Sequence, residues 1–168
     1  MSNLELLGPE PIFDKTVKNA DLFLKRNFQH YLNLSGMHRN QLSSPQLSLA
    51  PGSTNALNGV EKSVIDEVQD DIDIAEPARR AVSTIYRSMD NCTDTMQKPY
   101  RTIILGFYVE DKTIMDLTVR TSLAESTVKR KKSEALYEFS ERLVYWKDKF
   151  NCDFLPELRV WKSCSKTL

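Results

Sequence analysis

Between Thr113 and Leu143 the chain reads TIMDLTVRTSLAESTVKRKKSEALYEFSERL. Thr113 with Asp116 three residues later is typical of a helix N-terminus, because a hydroxyl and a carboxylate can accept hydrogen bonds from the free backbone N–H groups of the first turn. After a short link at about 119–122, apolar residues return at helical spacing from Val128 onward. The stretch therefore predicts two helices joined by about four residues, which is the spacing of a helix-turn-helix.

The second of these helices is predicted to carry a surface that reads DNA. Its outward positions combine cations with short hydrogen-bonding groups, a mixture suited to base edges and to phosphates. Arg130 is expected to donate two hydrogen bonds to a guanine, and Glu125 is expected to accept a hydrogen bond from a cytosine. Lys129 or Lys132 is expected to neutralise a phosphate. The candidate DNA-contacting residues are Thr113, Glu125, Ser126, Thr127, Lys129, Arg130, Lys132 and Ser133.

The basic run at 129–132 also has a simpler interpretation, since surface helices often carry such runs in contact with water, and others are nuclear localisation signals. Charge is nevertheless uneven along a chain whose 23 basic and 23 acidic residues balance. Residues 112–132 contain six bases and two acids, whereas residues 61–76 contain seven acids and one base. The acidic segment is expected to be a solvated helix face, a contact for a basic partner, or a cover for the basic segment when DNA is absent.

The rest of the sequence predicts further helices. Apolar residues recur every three or four positions over 14–34 and again over 60–90, where Pro77 is expected to kink the helix or to begin a new one. A third helix is predicted over about 94–109. No stretch of useful length shows the alternating pattern of a strand, so the predicted fold class is all-α, with an N-terminal helix, a long linker and a helical bundle that ends in the helix-turn-helix.

Four parts are predicted along the chain. The middle of the sequence between 35 and 59 is rich in Ser, Asn, Gly and Pro, which predicts a flexible linker and makes the preceding helix a separate unit. Aromatic and aliphatic residues near the C-terminus favour a docking helix or an oligomer contact there. The predicted parts are an N-terminal helical segment (1–34), the linker (35–59), a helical domain (60–146) with the helix-turn-helix at about 113–143, and a C-terminal tail (147–168).

Several classes of protein are excluded by what the sequence lacks. It contains none of the common phosphate-binding, dinucleotide-binding, hydrolase or zinc-protease motifs, so no enzyme, cofactor or metal site is predicted. Its three cysteines are widely spaced and form no C-x-x-C pair, which indicates free thiols. There is no apolar run long enough to span a bilayer and no secretory pattern in the first 30 residues. We therefore expect a cytoplasmic protein with no membrane partner.

Three segments resemble the ArpU family of phage transcriptional regulators and, more distantly, region 4 of bacterial primary sigma factors. They are Arg101-Thr-Ile-Ile-Leu-Gly-Phe-Tyr, Lys112-Thr-Ile-Met-Asp-Leu, and the stretch from Glu125 to Phe139. The resemblance covers about residues 99–143 and is weaker upstream. Two residues depart from the family pattern. Ala124 stands where a capping Ser or Thr is usual unless Ser122 supplies the cap, and Lys131 stands where the family tends to place a large apolar residue.

The resemblance implies a phage or prophage protein in the cytoplasm of a Gram-positive bacterial host. Such a protein would bind double-stranded DNA and control late genes for packaging, structure and lysis. Residues 125–127, 129 and 130 fall on its reading face, and Thr113 falls at a cap that commonly contacts phosphate. Host RNA polymerase and a second copy of the chain are further partners left open. The alternative function is a DNA packaging component similar to a small terminase subunit, which also joins a DNA-binding helical unit to oligomerising helices.

Overall fold

The computed structural model describes residues 9–42 and 65–162, with the backbone alone for residues 65–73. This part of the chain contains α-helices and a short 3-10 helix at Arg39–Gln41, and it contains no β-strand. The predicted all-α class is confirmed for these residues. The α-helices are α1 (Phe13–Ser35), α2 (Ile65–Asp90), α3 (Tyr100–Tyr108), α4 (Ile114–Thr121) and α5 (Glu125–Lys149).

The main hydrophobic core lies between α1, α2 and α5. The prediction that the N-terminal helix forms a separate unit is therefore wrong. The apolar stripe of α1 was correctly predicted, but such a stripe must be covered, and α2 and α5 cover it. At the centre of this core lie Phe23, Leu24 and Phe28 from α1, Ile85 from α2 and Phe139 from α5.

The end of α1 extends beyond the predicted boundary of the linker. Ser35 is still helical and buried, and Gly36 ends the helix with φ 68°, a left-handed conformation that glycine adopts without strain. Leu42 follows the 3-10 helix and is buried in the main core. The predicted linker therefore does not begin at residue 35, and its remainder from residue 43 lies outside the described residues.

Helix α2 continues through Pro77, so the alternative in which a new helix begins there is wrong. Proline lacks the N–H that would bond one turn earlier. Just after it, the buried face of α2 begins with Ala78, Ala81 and Val82, and their burial helps to offset the lost hydrogen bond. The predicted first residues of this helix, 60–64, lie outside the described residues, as do the side chains of the acidic segment up to residue 73.

Helix α3 begins six residues later than predicted. Asp94 does not start the helix, because a tight turn places its backbone opposite Pro99 in an isolated bridge, and the Thr95 N–H donates to the Lys98 carbonyl at 3.1 Å. The Asp94 carboxylate instead accepts a hydrogen bond from the Thr102 hydroxyl at 2.9 Å. Side-chain acceptors of this kind offer the backbone an alternative to the helix, and here the turn is formed.

The C-terminal tail packs against α1. No helix is present over residues 150–162, so the predicted docking helix is wrong. Leu155 and Leu158 are buried in the main core, the Ile12 N–H donates to the Val160 carbonyl at 2.6 Å, and the Val160 N–H donates to the Thr16 hydroxyl at 3.1 Å. Among the helices of the described ranges, none combines the length and the apolar character needed to cross a membrane.

Candidate nucleic-acid interface

A second, smaller core holds α3, α4 and α5 together. Ile103, Leu117 and Val128 are fully buried in it, one from each helix, and partly buried apolar side chains surround them. Gly106 permits the close approach of α3 to α4, because a Cβ atom at that position would lie 2.7 Å from Leu117 Cδ2. The orientation of α4 relative to α5 therefore depends on a few apolar contacts.

Helix α4 begins with the capping box that the sequence predicts. The Thr113 hydroxyl oxygen accepts a hydrogen bond from the Asp116 N–H at 3.1 Å, and the Asp116 carboxylate accepts from the Thr113 N–H at 2.8 Å. The backbone hydrogen bond from Thr113 lowers the pKa of Asp116. Because the Thr113 hydroxyl also donates its proton to Asp116, a contact between this hydroxyl and phosphate would require it to leave that carboxylate.

The turn between α4 and α5 consists of residues 122–124, so the predicted link at 119–122 is placed too early. Ser122 has φ 57° and ends α4 in the left-handed region, which prevents it from capping α5. The alternative in which Ser122 supplies that cap is therefore wrong. Ala124 occupies the N-cap position of α5 with φ −63° and ψ 151°, and its methyl group accepts no hydrogen bond.

We expect Ala124→Ser to stabilise the protein. The extended backbone at this position suits a capping serine, whose hydroxyl would accept from a free N–H in the first turn of α5. The free energy of unfolding should rise by about 0.5–2 kcal/mol, measured by urea denaturation. Ala124→Val, which adds no acceptor, is the matched control. An equal gain from both substitutions would show that the missing cap does not matter.

The first turns of α5 present most of the predicted reading residues to solvent. Glu125, Ser126, Lys129 and Arg130 are exposed, and Arg130 retains 68% of its side-chain accessibility. Thr127 and Ser133 are only partly exposed. Lys129 Nζ lies 2.6 Å from Glu125 Oε1, and this hydrogen bond lowers the pKa of Glu125. The exposed end of α5 thus carries an ion pair beside the Arg130 guanidinium, which is mostly exposed although its Nε lies 4.0 Å from Glu134 Oε1.

Lys131 and Lys132 are turned towards the protein, so the predicted outward position of Lys132 is wrong. The Lys132 side chain is 17% exposed, and its ammonium lies 3.7 Å from the centroid of the Phe107 ring and 3.7 Å from Asp21 Oδ1. Burial lowers the pKa of Lys132 despite the nearby carboxylate. Successive residues of a helix point about 100° apart. Lys131 and Lys132, which follow the exposed residues Lys129 and Arg130, therefore point to the other side of α5. Lys131 Nζ is held 3.0 Å from Glu134 Oε2.

The structure adds cations from other elements that the sequence interpretation missed. A groove of about 420 Å³ is lined by Lys18 of α1 together with Lys129 and Lys132, and a neighbouring groove of about 470 Å³ is lined by Lys25, Arg39 and Lys112. Three carboxylates, those of Asp14, Asp21 and Asp111, also line these grooves, so cations outnumber them. Phe107 and Ile114 line both grooves, so we call the two together the basic groove. Lys25 pairs with Asp21 at 2.7 Å, whereas Lys18 and Lys112 make no ion pair within the described ranges. Lys25 and Lys112 are about 90 residues apart in the sequence, so no local sequence pattern could predict that they line the same groove.

Two further observations concern other kinds of site. Among the side chains that the structure describes, in residues 9–42 and 74–162, no three His, Cys, Asp or Glu residues are grouped so that they could hold a metal ion. Cys92 and Cys152 are buried and unpaired, and burial raises the pKa of the Cys92 thiol to about 12, so this thiol is a poor nucleophile.

The candidate interface consists of the exposed start of α5 and the basic groove beside it. Comparison with known proteins gives no match: no family model, no curated protein and no solved structure is significantly similar to this chain.

Proposed function

We propose that this protein is a sequence-specific DNA-binding transcriptional regulator of the ArpU type, which acts on late genes of a phage or prophage in the cytoplasm of a bacterial host. The observation that supports this proposal best is the exposed start of α5. It follows the capped helix α4 after three residues, and it presents Ser126, Lys129 and Arg130 to solvent. An α-helix with such side chains on its first turns has the size and chemistry to enter the major groove of DNA.

In this proposal the side chains of α5 have different tasks. Arg130 donates two hydrogen bonds to a guanine edge, since its side chain is 68% exposed and only its Nε lies near a carboxylate, 4.0 Å from Glu134 Oε1. Lys129 remains beside Glu125 until DNA arrives, when the ammonium turns to a phosphate and frees the carboxylate for a cytosine amino group. Ser126 and Thr127 add short hydrogen-bonding groups near the same end of the helix. Lys132 takes no part, because it is engaged by Asp21 and Phe107.

The basic groove extends this surface towards the phosphate backbone. Lys18 comes from α1, which shares its core with α5, and it lines the same groove as Lys129. Lys112 lies in the link before α4 and lines the neighbouring groove. Cations in such positions hold a duplex in register without reading its sequence. Each phosphate contact releases counterions, so the affinity is expected to fall steeply as salt is added.

We expect Arg130→Ala to weaken binding to the specific site by about 1–3 kcal/mol, which is roughly five- to 150-fold in affinity. The loss follows from removing both hydrogen bonds to one guanine, while non-specific binding should change little. Footprinting on DNA upstream of the late genes defines the site, and gel-shift titration against that site and a scrambled copy measures the loss.

Arg142→Ala is the matched control for this experiment. Arg142 lies further along α5, and its guanidinium contacts Asn91 at 3.2 Å and Glu138 at 3.3 Å rather than facing the basic groove. This variant should bind both DNA duplexes as the unaltered protein does. If the unaltered protein and Arg130→Ala bind the specific and scrambled DNA with the same affinity, the proposal fails.

A further inference from the structure

A broad groove runs along the C-terminal half of α5, away from the basic groove. Its volume is about 1370 Å³, and its walls come from residues 9–13, from the link at 91–93 and from the tail at 159–161. None of the predicted DNA-contacting residues lines it. We call it the aromatic groove, because Phe13, Tyr137, Tyr145, Trp146 and Trp161 form much of its surface.

Several of these rings face solvent, although aromatic side chains are usually covered. Tyr145 is 60% exposed, and Phe13 and Trp161 are also exposed. Phe13 stacks on Tyr137 with the ring centroids 5.3 Å apart, which fixes one wall of the groove. The Arg159 guanidinium carbon lies 5.0 Å from the centroid of the Trp161 ring. The groove therefore already contains a guanidinium placed on an aromatic face, a geometry that stabilises the cation.

The charges in the aromatic groove are mainly negative. Four carboxylates line it against two guanidiniums. Glu134 is engaged by the Tyr100 hydroxyl at 2.7 Å, and Glu138 accepts from the Thr93 N–H at 2.8 Å. Glu10 and Glu141, by contrast, make no ion pair with any residue that the structure describes. Burial raises the pKa of Glu141, although the positive charge of Arg159 opposes this shift. Two carboxylates that form no direct ion pair thus lie in the same groove as exposed aromatic rings.

We propose that the aromatic groove binds an arginine-bearing, extended segment of a partner protein. A guanidinium can stack its flat face on a tyrosine or tryptophan ring while its N–H groups fork onto a carboxylate, and the groove offers both. A purely apolar segment would leave the carboxylates buried without partners, which is costly, and an acidic segment would be repelled. The length of the groove along α5 suits an extended segment better than a single small cation. This inference does not depend on the proposed DNA binding.

The experiment uses the full chain and a hexa-arginine peptide as the probe. Trp146 and Trp161 are the two tryptophans of the sequence, and both line the aromatic groove, so intrinsic fluorescence reports on its occupancy. We expect a saturable fluorescence change with hexa-arginine, binding at least several-fold weaker with hexa-lysine, and no change with hexa-glutamate. The double variant Glu10→Gln with Glu141→Gln should weaken hexa-arginine binding by about tenfold or more.

A matched double variant, Asp148→Asn with Asp153→Asn, removes the same charge from exposed positions outside the aromatic groove. It should bind hexa-arginine as the unaltered protein does. An equal loss in both double variants would show diffuse attraction to acidic surface, and equal affinity for hexa-lysine would show that no stacking site exists. Absence of any fluorescence change would also overturn the inference. Lys129→Ala should leave this binding unaffected whether or not the protein binds DNA, because Lys129 pairs with Glu125 outside the aromatic groove.

Discussion

Replacing Phe28 by alanine is expected to lower the free energy of unfolding by about 3–5 kcal/mol. Phe28 lies on α1 and is fully buried in the main core, to which α2 and α5 also contribute. Truncation removes apolar surface from contact and leaves a cavity that the surrounding helices can fill only in part. Urea denaturation followed by far-UV circular dichroism measures the loss. Because α1 shares this core with α2 and α5, a single cooperative transition is expected at a lower urea concentration.

The matched control is Leu34→Ala on the same helix. Leu34 is 40% exposed, so its truncation should change the free energy of unfolding by less than about 1 kcal/mol. If Phe28→Ala had no larger effect than Leu34→Ala, α1 would not belong to the core. A separate early transition of α1 in either variant would restore the interpretation of an independent N-terminal unit.

Replacing Leu117 by alanine is expected to lower the free energy of unfolding by about 2–5 kcal/mol. Leu117 is the fully buried side chain of α4 in the small core, and its Cδ2 atom fills the space over Gly106. Without it α4 keeps its capping box but loses the contact that fixes it against α3 and α5. Under the proposed function, DNA binding should weaken as well, even where the variant remains folded. Denaturation and gel-shift titration at low temperature separate the two effects.

Met115→Ala provides the comparison within α4, because Met115 is 64% exposed. Its truncation should change the free energy of unfolding by no more than about 0.5 kcal/mol. Equal stability of the Leu117→Ala and Met115→Ala variants would contradict the small core. Normal DNA affinity in a folded Leu117→Ala variant would instead show that the orientation of α4 does not affect binding.

The features that could be predicted from the sequence are those with local causes. The amphipathic stripe of α1 repeats every three or four residues, and helix formation follows from that spacing. The capping box of Thr113 and Asp116 involves groups three residues apart, so its hydrogen bonds were predictable from the residue types. The exposed position of Arg130 on α5 follows from the same helical periodicity.

Other boundaries were missed because competing local interactions were not visible in the periodicity. The prediction of a helix start at Asp94 failed because the backbone there forms a turn opposite Pro99, while the Asp94 carboxylate accepts a hydrogen bond from the Thr102 hydroxyl. The left-handed conformation of Ser122 moved the turn between α4 and α5 by about three residues. Pro77 was accommodated inside α2, where helical residues continue on both sides of it. The DNA-binding role of the α5 residues stays a prediction.

The amino-acid sequence alone was enough to predict the all-α class, the apolar faces of the helices and the cations near position 130. Each of these features depends on neighbours within a few residues. Folding in three dimensions decided which surface covers each face. It brought α1 beside α5, turned Lys132 towards Asp21 and Phe107, and formed the basic and aromatic grooves from distant segments. Periodicity specifies that a face must be buried, but the partner is chosen by the fit of whole helices, and that fit has no local signature.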